Sequence, residues 1–182
     1  MEELIRQIEK DLDLLLRDKT LSPLRKELNE SVDLRAARLI IFSLQWSSVG
    51  YQSALRFAGA KVGQAIGTNF AGRELSLILK DLKKIFEGLK WGRVETGIDI
   101  KNKKISLRLI DSLTSAGAPN INQTLCFFEE GFIEGCLDGI IKIKGALTLA
   151  GLTENVARVD VKETKCVGLG ADFCEFTVTL GS

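Results

Sequence analysis

The stretch from Val159 to Cys174, VDVKETKCVGLGADFC, decides how the C-terminal part of the chain folds. Apolar and polar residues alternate through residues 155–166 and again through residues 173–180, as they do in strands with one buried face. The sequence Gly168-Leu169-Gly170 lies between the two segments and provides residues that suit a tight turn. This stretch therefore predicts two antiparallel strands joined by a short turn.

The alternation also places one acidic residue on an apolar face. Glu163 falls on the same side of its strand as Val159 and Val161. A carboxylate directed toward a core is costly unless it is paired or binds a metal. Because Glu163, Cys166 and Cys174 flank one tight turn, a single cation could reach all three side chains.

The composition limits what kind of site this can be. The 182 residues include four Cys and no His. A Ser-His-Asp triad, a two-His metal motif and a proximal-His haem ligand are therefore excluded within this chain. A metal bound here must be held by Cys thiolates and carboxylates.

A fourth ligand would have to come from Cys126 or Cys136, both on a predicted helix over residues 125–141. Ten residues at about 100° each leave these two side chains about 80° apart around the helix, so one should be a ligand and the other a core residue. Three thiolates and one carboxylate form a closed tetrahedral site of the structural zinc type, with no open position for water.

Three other interpretations of the cysteines remain at this point. All four could be small core residues, since free Cys is commonly buried. Cys166 and Cys174 could form a disulfide across the turn. The four Cys could also hold an iron–sulfur cluster, which would leave Glu163 without an explanation.

The remaining pattern predicts helices alternating with hairpins. Helices are expected at residues 2–17, 47–70, 73–89 and from Asn120 to about 141, strands at 92–100 and 104–112, and either a strand or a helix start at 37–44. This order favours an α+β fold, with an antiparallel sheet of about four strands packed against a helical layer and an extra N-terminal helix.

The first helix predicts a division of the chain. Its apolar stripe must be covered, either by the domain or by a second copy of the chain. Residues 1–33 are therefore interpreted as an N-terminal helix and arm that could serve dimerisation, and residues 34–182 as the domain proper. A homodimer is therefore expected.

Two rows of glycine occupy every fourth position of two predicted helices. They are Gly59, Gly63 and Gly67, and Gly131, Gly135 and Gly139. Each glycine inside a helix costs about 0.5–1 kcal/mol relative to Ala, so some close approach must offset the cost. Either the helices pack on each other or on the sheet, or the rows leave room for an apolar ligand.

The charge balance argues against extended anionic partners. With 25 Lys and Arg against 24 Asp and Glu, the net charge is +1, so neither nucleic acid nor an anionic membrane is an expected partner. No apolar stretch approaches the roughly 20 residues that span a bilayer, and the charged pattern of residues 1–6 does not predict a signal peptide. A cytoplasmic protein is expected.

The site residues also carry a resemblance. Glu163-Thr164-Lys165-Cys166, the glycine turn, Cys174 and the segment CFFEEGFIEG at residues 126–135 resemble the 4-vinyl-reductase-like family, or hydrocarbon-binding domain, which is related in fold to TRAPP small subunits. The resemblance covers residues 35–180, so residues 34–182 are interpreted as a 4-vinyl-reductase-like ligand-binding domain. It implies a zinc ion held by Cys126, Glu163, Cys166 and Cys174, because the family's glycines fall on Gly131 and Gly135 and so favour Cys126 over Cys136.

The implied function is a module that binds or senses a small hydrophobic molecule and contains a structural zinc ion. Aromatic-compound sensors of this family use a pocket His, which this chain lacks, so a different ligand is expected. Two alternatives are a vinyl reductase of a tetrapyrrole and a dimeric interaction protein like the TRAPP small subunits. Enzyme activity is less favoured, since the chain has no dinucleotide-binding fingerprint and the closed metal site has no reaction position; no catalytic residue is predicted.

Overall fold

The computed structural model describes residues 33–47, 49–70, 74–99, 101–102, 104–144, 146–149, 152–156 and 158–181. Residues 1–41 and 42–182 form two compact units. The helix expected at residues 2–17 and the arm that follows it lie outside the described residues, so both stay predictions. None of the described helices is long and apolar enough to cross a bilayer.

Four α-helices, two three-residue 3-10 helices and six strands form the described part of the chain. In chain order the α-helices and strands are α1 (Leu34–Ser47), α2 (Val49–Gly67), α3 (Leu75–Gly88), β1 (Arg93–Asp99), β2 (Lys104–Ile110), α4 (Phe127–Lys144), β3 (Ala146–Leu149), β4 (Leu152–Asn155), β5 (Arg158–Lys165) and β6 (Cys174–Gly181). Residues 37–44 belong to α1, which settles the choice between strand and helix in favour of helix.

The main sheet has four antiparallel strands in the order β1-β2-β6-β5. On β5 and β6 every second residue is buried, as the alternation predicts. Helix α4 packs against β5 and α3 against β1, so the core lies between the sheet and these helices. The predicted α+β class, with a sheet of about four strands against a helical layer, is confirmed.

Two local predictions need correction. The short hairpin β3-β4 was not predicted, because two four-residue strands are too short for a clear alternating pattern. Helix α4 begins at Phe127 rather than at Asn120. The Asn120 side chain accepts the backbone N–H of Asn122, whose φ of 57° is incompatible with an α-helix.

The glycine rows form the contact between α2 and α4. A Cβ atom on any of the six would lie within 3.0 Å of a backbone carbonyl oxygen of the opposite helix, a separation that real Cβ atoms essentially never show. The contacts are reciprocal: Gly135 faces the Ala60 carbonyl of α2, and Gly63 faces the Phe132 carbonyl of α4. The rows are therefore closed by backbone packing, as in other small-residue helix pairs.

This packing generates the first prediction. Gly135→Ala should lower the free energy of unfolding by about 3 kcal/mol, because the new methyl group must push the α2 backbone away. Urea unfolding followed by circular dichroism measures the change. Gly50→Ala, at an exposed position of α2, is the matched control and should gain about 0.5–1 kcal/mol from helix propensity. Equal gains in both variants would contradict the close contact.

Candidate metal centre

Four side chains from three separate parts of the chain converge beneath the turn before β6. One ligand atom from each of Cys126, Glu163, Cys166 and Cys174 lies within 4.8 Å of every other. All four residues are buried, and the three Cys are fully inaccessible. Within the described residues this is the group of His, Cys, Asp or Glu side chains with metal-binding geometry.

The turn brings the cysteines together. Cys166 directly precedes the 3-10 turn Val167–Leu169, and Cys174 begins β6. The carbonyl of Gly168 accepts the N–H groups of Ile121 and Gln123 at 2.9 and 3.3 Å, which fastens the segment before α4 to the turn. Cys126, the residue before α4, is thereby placed beside the other two thiols.

The glycines of the turn are required by its geometry. Gly170 has a φ of +86°, in the left-handed region that favours glycine. A Cβ on Gly168 would collide with the Gln123 carbonyl oxygen. The turn predicted from Gly168-Leu169-Gly170 is therefore also the surface on which the preceding loop packs.

Glu163 enters the cluster with one oxygen unsatisfied. Its Oε2 accepts the backbone N–H of Cys126 at 3.0 Å, whereas the buried Oε1 has no hydrogen-bond partner. A buried carboxylate oxygen without a partner is costly and needs an explanation. A cation bound between Glu163 and the three sulfurs would provide one.

The electrostatics of the group also favour a cation. Burial raises the pKa of Glu163 to about 9, and the Cys174 sulfur adds to this rise. Burial likewise raises the pKa of the Cys126 thiol well above its usual range. Hydrogen bonds with Cys126 and Cys166 lower the pKa of the Cys174 thiol. Acidic groups this close together and this deeply buried are costly to ionise without a neighbouring positive charge, and a divalent cation would supply that charge.

The donor set and spacing fit zinc. The Sγ–Sγ distances are 3.2 Å for Cys126–Cys174 and 3.6 Å for Cys166–Cys174. Tetrahedral zinc with bonds of about 2.3 Å would hold its sulfurs about 3.8 Å apart, so only a small expansion is needed. Three thiolates with one carboxylate leave no open coordination position.

Cys136 does not join this group. It is fully buried in α4, and its backbone faces Gly63 and Gly67 of α2. Burial raises the pKa of its thiol. Of the two candidates for the fourth ligand, the structure therefore brings Cys126 to Glu163 and leaves Cys136 in the helix interface.

Two serines beside the sulfurs were missed in the sequence. Ser115 Oγ lies 3.1 Å from Cys174 Sγ and 3.6 Å from Cys126 Sγ, and Ser112 Oγ lies 3.7 Å from Cys126 Sγ. Hydroxyl groups at such distances hydrogen-bond to metal thiolates and adjust their basicity. The only sequence signal was a pair of serines three residues apart after a buried strand.

A second buried carboxyl group lies nearby on α4. Glu129 is 4% exposed; its Oε1 accepts a hydrogen bond from the Thr114 hydroxyl and its Oε2 has no partner. Burial raises the pKa of Glu129 to about 7, and the Cys174 sulfur also raises it. This residue was likewise missed, because helical periodicity does not show which of several acidic residues is buried.

No family model matches the chain, but comparison with known proteins does find relatives. Two proteins of Methanocaldococcus jannaschii are similar in sequence. Uncharacterized protein MJ1642 is 26% identical over 160 residues, covering 85% of this chain and 82% of that protein. Uncharacterized protein MJ0150 is 25% identical over 179 residues, covering 98% and 92%.

Three solved structures are similar in fold. A vinyl-4-reductase family protein from Methanocaldococcus jannaschii is 20% identical over 86% of each chain, with a TM-score of 0.52. The phenol-responsive sensory domain of the transcription activator PoxR, solved with phenol, is 12% identical over 82% of this chain and 75% of that one, with a TM-score of 0.58. Trafficking protein particle complex subunit 3 from Naegleria fowleri, covalently bound to palmitic acid, is 16% identical over 82% and 93%, with a TM-score of 0.51.

These similarities confirm at the level of fold the resemblance noted in the sequence. The chain resembles both a vinyl-4-reductase family protein and a TRAPP subunit. Two of the three structures contain a small molecule, phenol in one and palmitic acid in the other. The fold is therefore one in which other proteins hold small molecules.

The Glu129 geometry generates the second prediction. With a pKa of about 7 when folded and 4.5 as its ordinary value, Glu129 keeps a proton in the folded state that the unfolded chain releases between these pH values. The free energy of unfolding should therefore fall as the pH rises through this window. Glu129→Gln cannot ionise and keeps an acceptor oxygen for Thr114.

Relative to the wild type, Glu129→Gln should gain up to about 3 kcal/mol of unfolding free energy between pH 4.5 and pH 8. Urea unfolding of both proteins across this range measures the difference. A difference that is constant with pH would show that Glu129 titrates normally.

Proposed function

We propose that residues 34–182 form a module that binds or senses a small hydrophobic molecule and is held together by a structural zinc ion. The observation that carries the zinc proposal is the buried group of three thiols and one carboxyl within 4.8 Å of one another. The unpartnered oxygen of Glu163 supports it independently.

The expected ligands are Cys126, Glu163, Cys166 and Cys174. When bound, zinc would supply a structural cross-link and charge neutralisation. The four residues lie before α4, on β5, before the turn and at the start of β6, so the cross-link joins the helical layer to the edge of the sheet. A closed site of this kind gives no position for a substrate, which argues against a vinyl reductase acting at the metal.

The proposal of a hydrophobic ligand rests on the fold and on the core beside α4. Similar folds hold phenol and palmitic acid in the PoxR domain and the TRAPP subunit. In this chain, Trp91, which follows α3, makes edge-to-face contacts with Phe86 of α3 and with Phe128 and Phe132 of α4. Phe86 also meets Phe132 edge to face, and Phe128 stacks on Phe132. Trp91 and Phe128 are only partly buried, so this aromatic group extends from the core to the surface.

A second candidate function is a dimeric interaction protein. The similarity to subunit 3 of the trafficking protein particle complex, which covers 93% of that chain, favours it. The apolar stripe of residues 2–17 is the part of the sequence that predicts a homodimer. The two functions are compatible, since a dimer can also hold an apolar molecule.

Metal content provides the third prediction. Protein purified without added zinc should contain about one equivalent by plasma mass spectrometry, because a closed thiolate site holds zinc tightly. Cys166→Ser and Cys174→Ser should each lose most of it. Cys136→Ser is the matched control: its thiol is equally buried but lies outside the group, and its zinc content should equal that of the wild type.

The wild type could instead contain no metal even after incubation with zinc, iron and cobalt. That result would overturn the proposed zinc site. Zinc loss in Cys136→Ser equal to that in Cys174→Ser would show that the loss reports general unfolding rather than a missing ligand.

Ligand occupancy provides the fourth prediction. Organic extraction of the purified protein, analysed by mass spectrometry, should release a hydrophobic molecule in near-stoichiometric amount. Added palmitic acid should compete with this molecule, whereas phenol should compete poorly because the chain has no His. An empty protein that binds neither probe in calorimetry would contradict a ligand-binding role and favour the interaction protein.

A further inference from the structure

Among the described strands, none pairs with the outer edge of β5, since β5 is the last strand in the order β1-β2-β6-β5. Edge strands present backbone N–H and C=O groups that need other partners. On β5 the groups concerned include the carbonyl of Val161 and the N–H of Glu163. Residues two apart in a strand point the same way, so both groups belong to one edge.

Side chains from two helices satisfy these backbone groups. The Val161 carbonyl accepts a hydrogen bond from Arg56 Nη2 of α2 at 3.1 Å. The Glu163 N–H donates to Oε2 of Glu130 on α4 at 2.8 Å. An arginine and a glutamate thus take the place of a missing strand beside the residue that supplies the carboxylate of the cluster.

The arginine and the glutamate also hold each other. Arg56 Nη1 lies 2.6 Å from Glu130 Oε1, and its Nη2 lies 2.5 Å from Glu134 Oε2. Glu130 is only 7% exposed, whereas the Arg56 side chain is 39% exposed, so the pair lies at the border between the core and the solvent.

The backbone of Arg56 is fixed as well, by the glycine contact between the helices. A Cβ at position 131 would collide with the Arg56 carbonyl oxygen, so Gly131 lets α4 approach this point of α2 closely. The Arg56–Glu130 pair is therefore built on a rigid base. The pair contacts β5 at the Val161 carbonyl and at the Glu163 N–H.

The strand changes register just beyond these attachments. Pairing with β6 shifts between Glu163 and Lys165, and such irregularities re-aim side chains near functional sites. Glu163 is held at two points. Its backbone N–H donates to Glu130, and its carboxylate accepts the backbone N–H of Cys126.

We propose that Arg56 and Glu130 are positioning residues that hold the edge of β5 so that the Glu163 carboxylate faces the three thiols. This inference rests on the proposed metal site and extends it to a second layer of residues. Such outer partners typically change metal affinity by about 10–100-fold. Glu134 pairs with the same Arg56 side chain, but the acceptor of the Glu163 N–H is Glu130, which makes Glu134 a natural comparison.

The test compares Glu130→Met with Glu134→Met. Both variants remove one carboxylate partner of Arg56 from the same helix, but only Glu130→Met removes the acceptor of the Glu163 backbone N–H. Zinc affinity is measured by competition with a chromophoric chelator, and folding by circular dichroism. Glu130→Met should bind zinc about 10–100-fold more weakly and Glu134→Met within about threefold of the wild type.

A double-variant comparison separates positioning from a general structural role. In a Glu163→Ala background, Glu130→Met should weaken zinc binding by no more than about threefold further, because the residue through which it acts is gone. The cobalt-substituted proteins should all keep the thiolate charge-transfer absorption. If Glu130→Met does not fold, Glu130→Gln, with its neutral oxygen, should weaken zinc binding by about fivefold.

Unchanged zinc affinity in Glu130→Met, equal weakening in Glu134→Met, or additive losses in the Glu163→Ala background would each overturn the positioning role. These results are distinct from failure of the metal site itself, in which the wild type would bind no zinc at all.

Discussion

The backbone contact between α2 and α4 is the constraint on which the rest of this structure depends. Six glycines let carbonyl oxygens of each helix lie where side chains would otherwise stand. Their combined cost as helix residues is about 3–6 kcal/mol, comparable with the net stability of a domain, so the contact must return a similar amount through packing. It also fixes α4, and with it Cys126, Glu129 and Glu130.

A chain of side-chain contacts connects this helix pair to the cluster of Glu163 and the three thiols. Arg56 extends from α2 across Glu130 to the edge of β5, and β5 presents Glu163 to the thiols. The turn between β5 and β6 adds Cys166 and Cys174 and fastens the loop that ends in Cys126. The proposed zinc ion would cross-link these segments, because each of its ligands belongs to an element already positioned by backbone hydrogen bonds.

Local sequence patterns predicted much of this arrangement. Period-two alternation identified the inward-facing Glu163, and helical spacing allowed only one of Cys126 and Cys136 to join it. The start of α4 was misplaced, because the hydrogen bonds of Ile121 and Gln123 to Gly168 link residues over 40 positions apart. Arg56, Ser112 and Ser115 were missed for the same reason: their partners are set by tertiary packing, which leaves no periodic signal.

The central claim is that three thiolates and one carboxylate hold one zinc ion. X-ray absorption at the zinc edge of the purified protein tests it most directly. The account predicts about three sulfur neighbours at about 2.3 Å and one oxygen at about 2.0 Å. A shell of four sulfurs, or one made of oxygen and nitrogen alone, would contradict it.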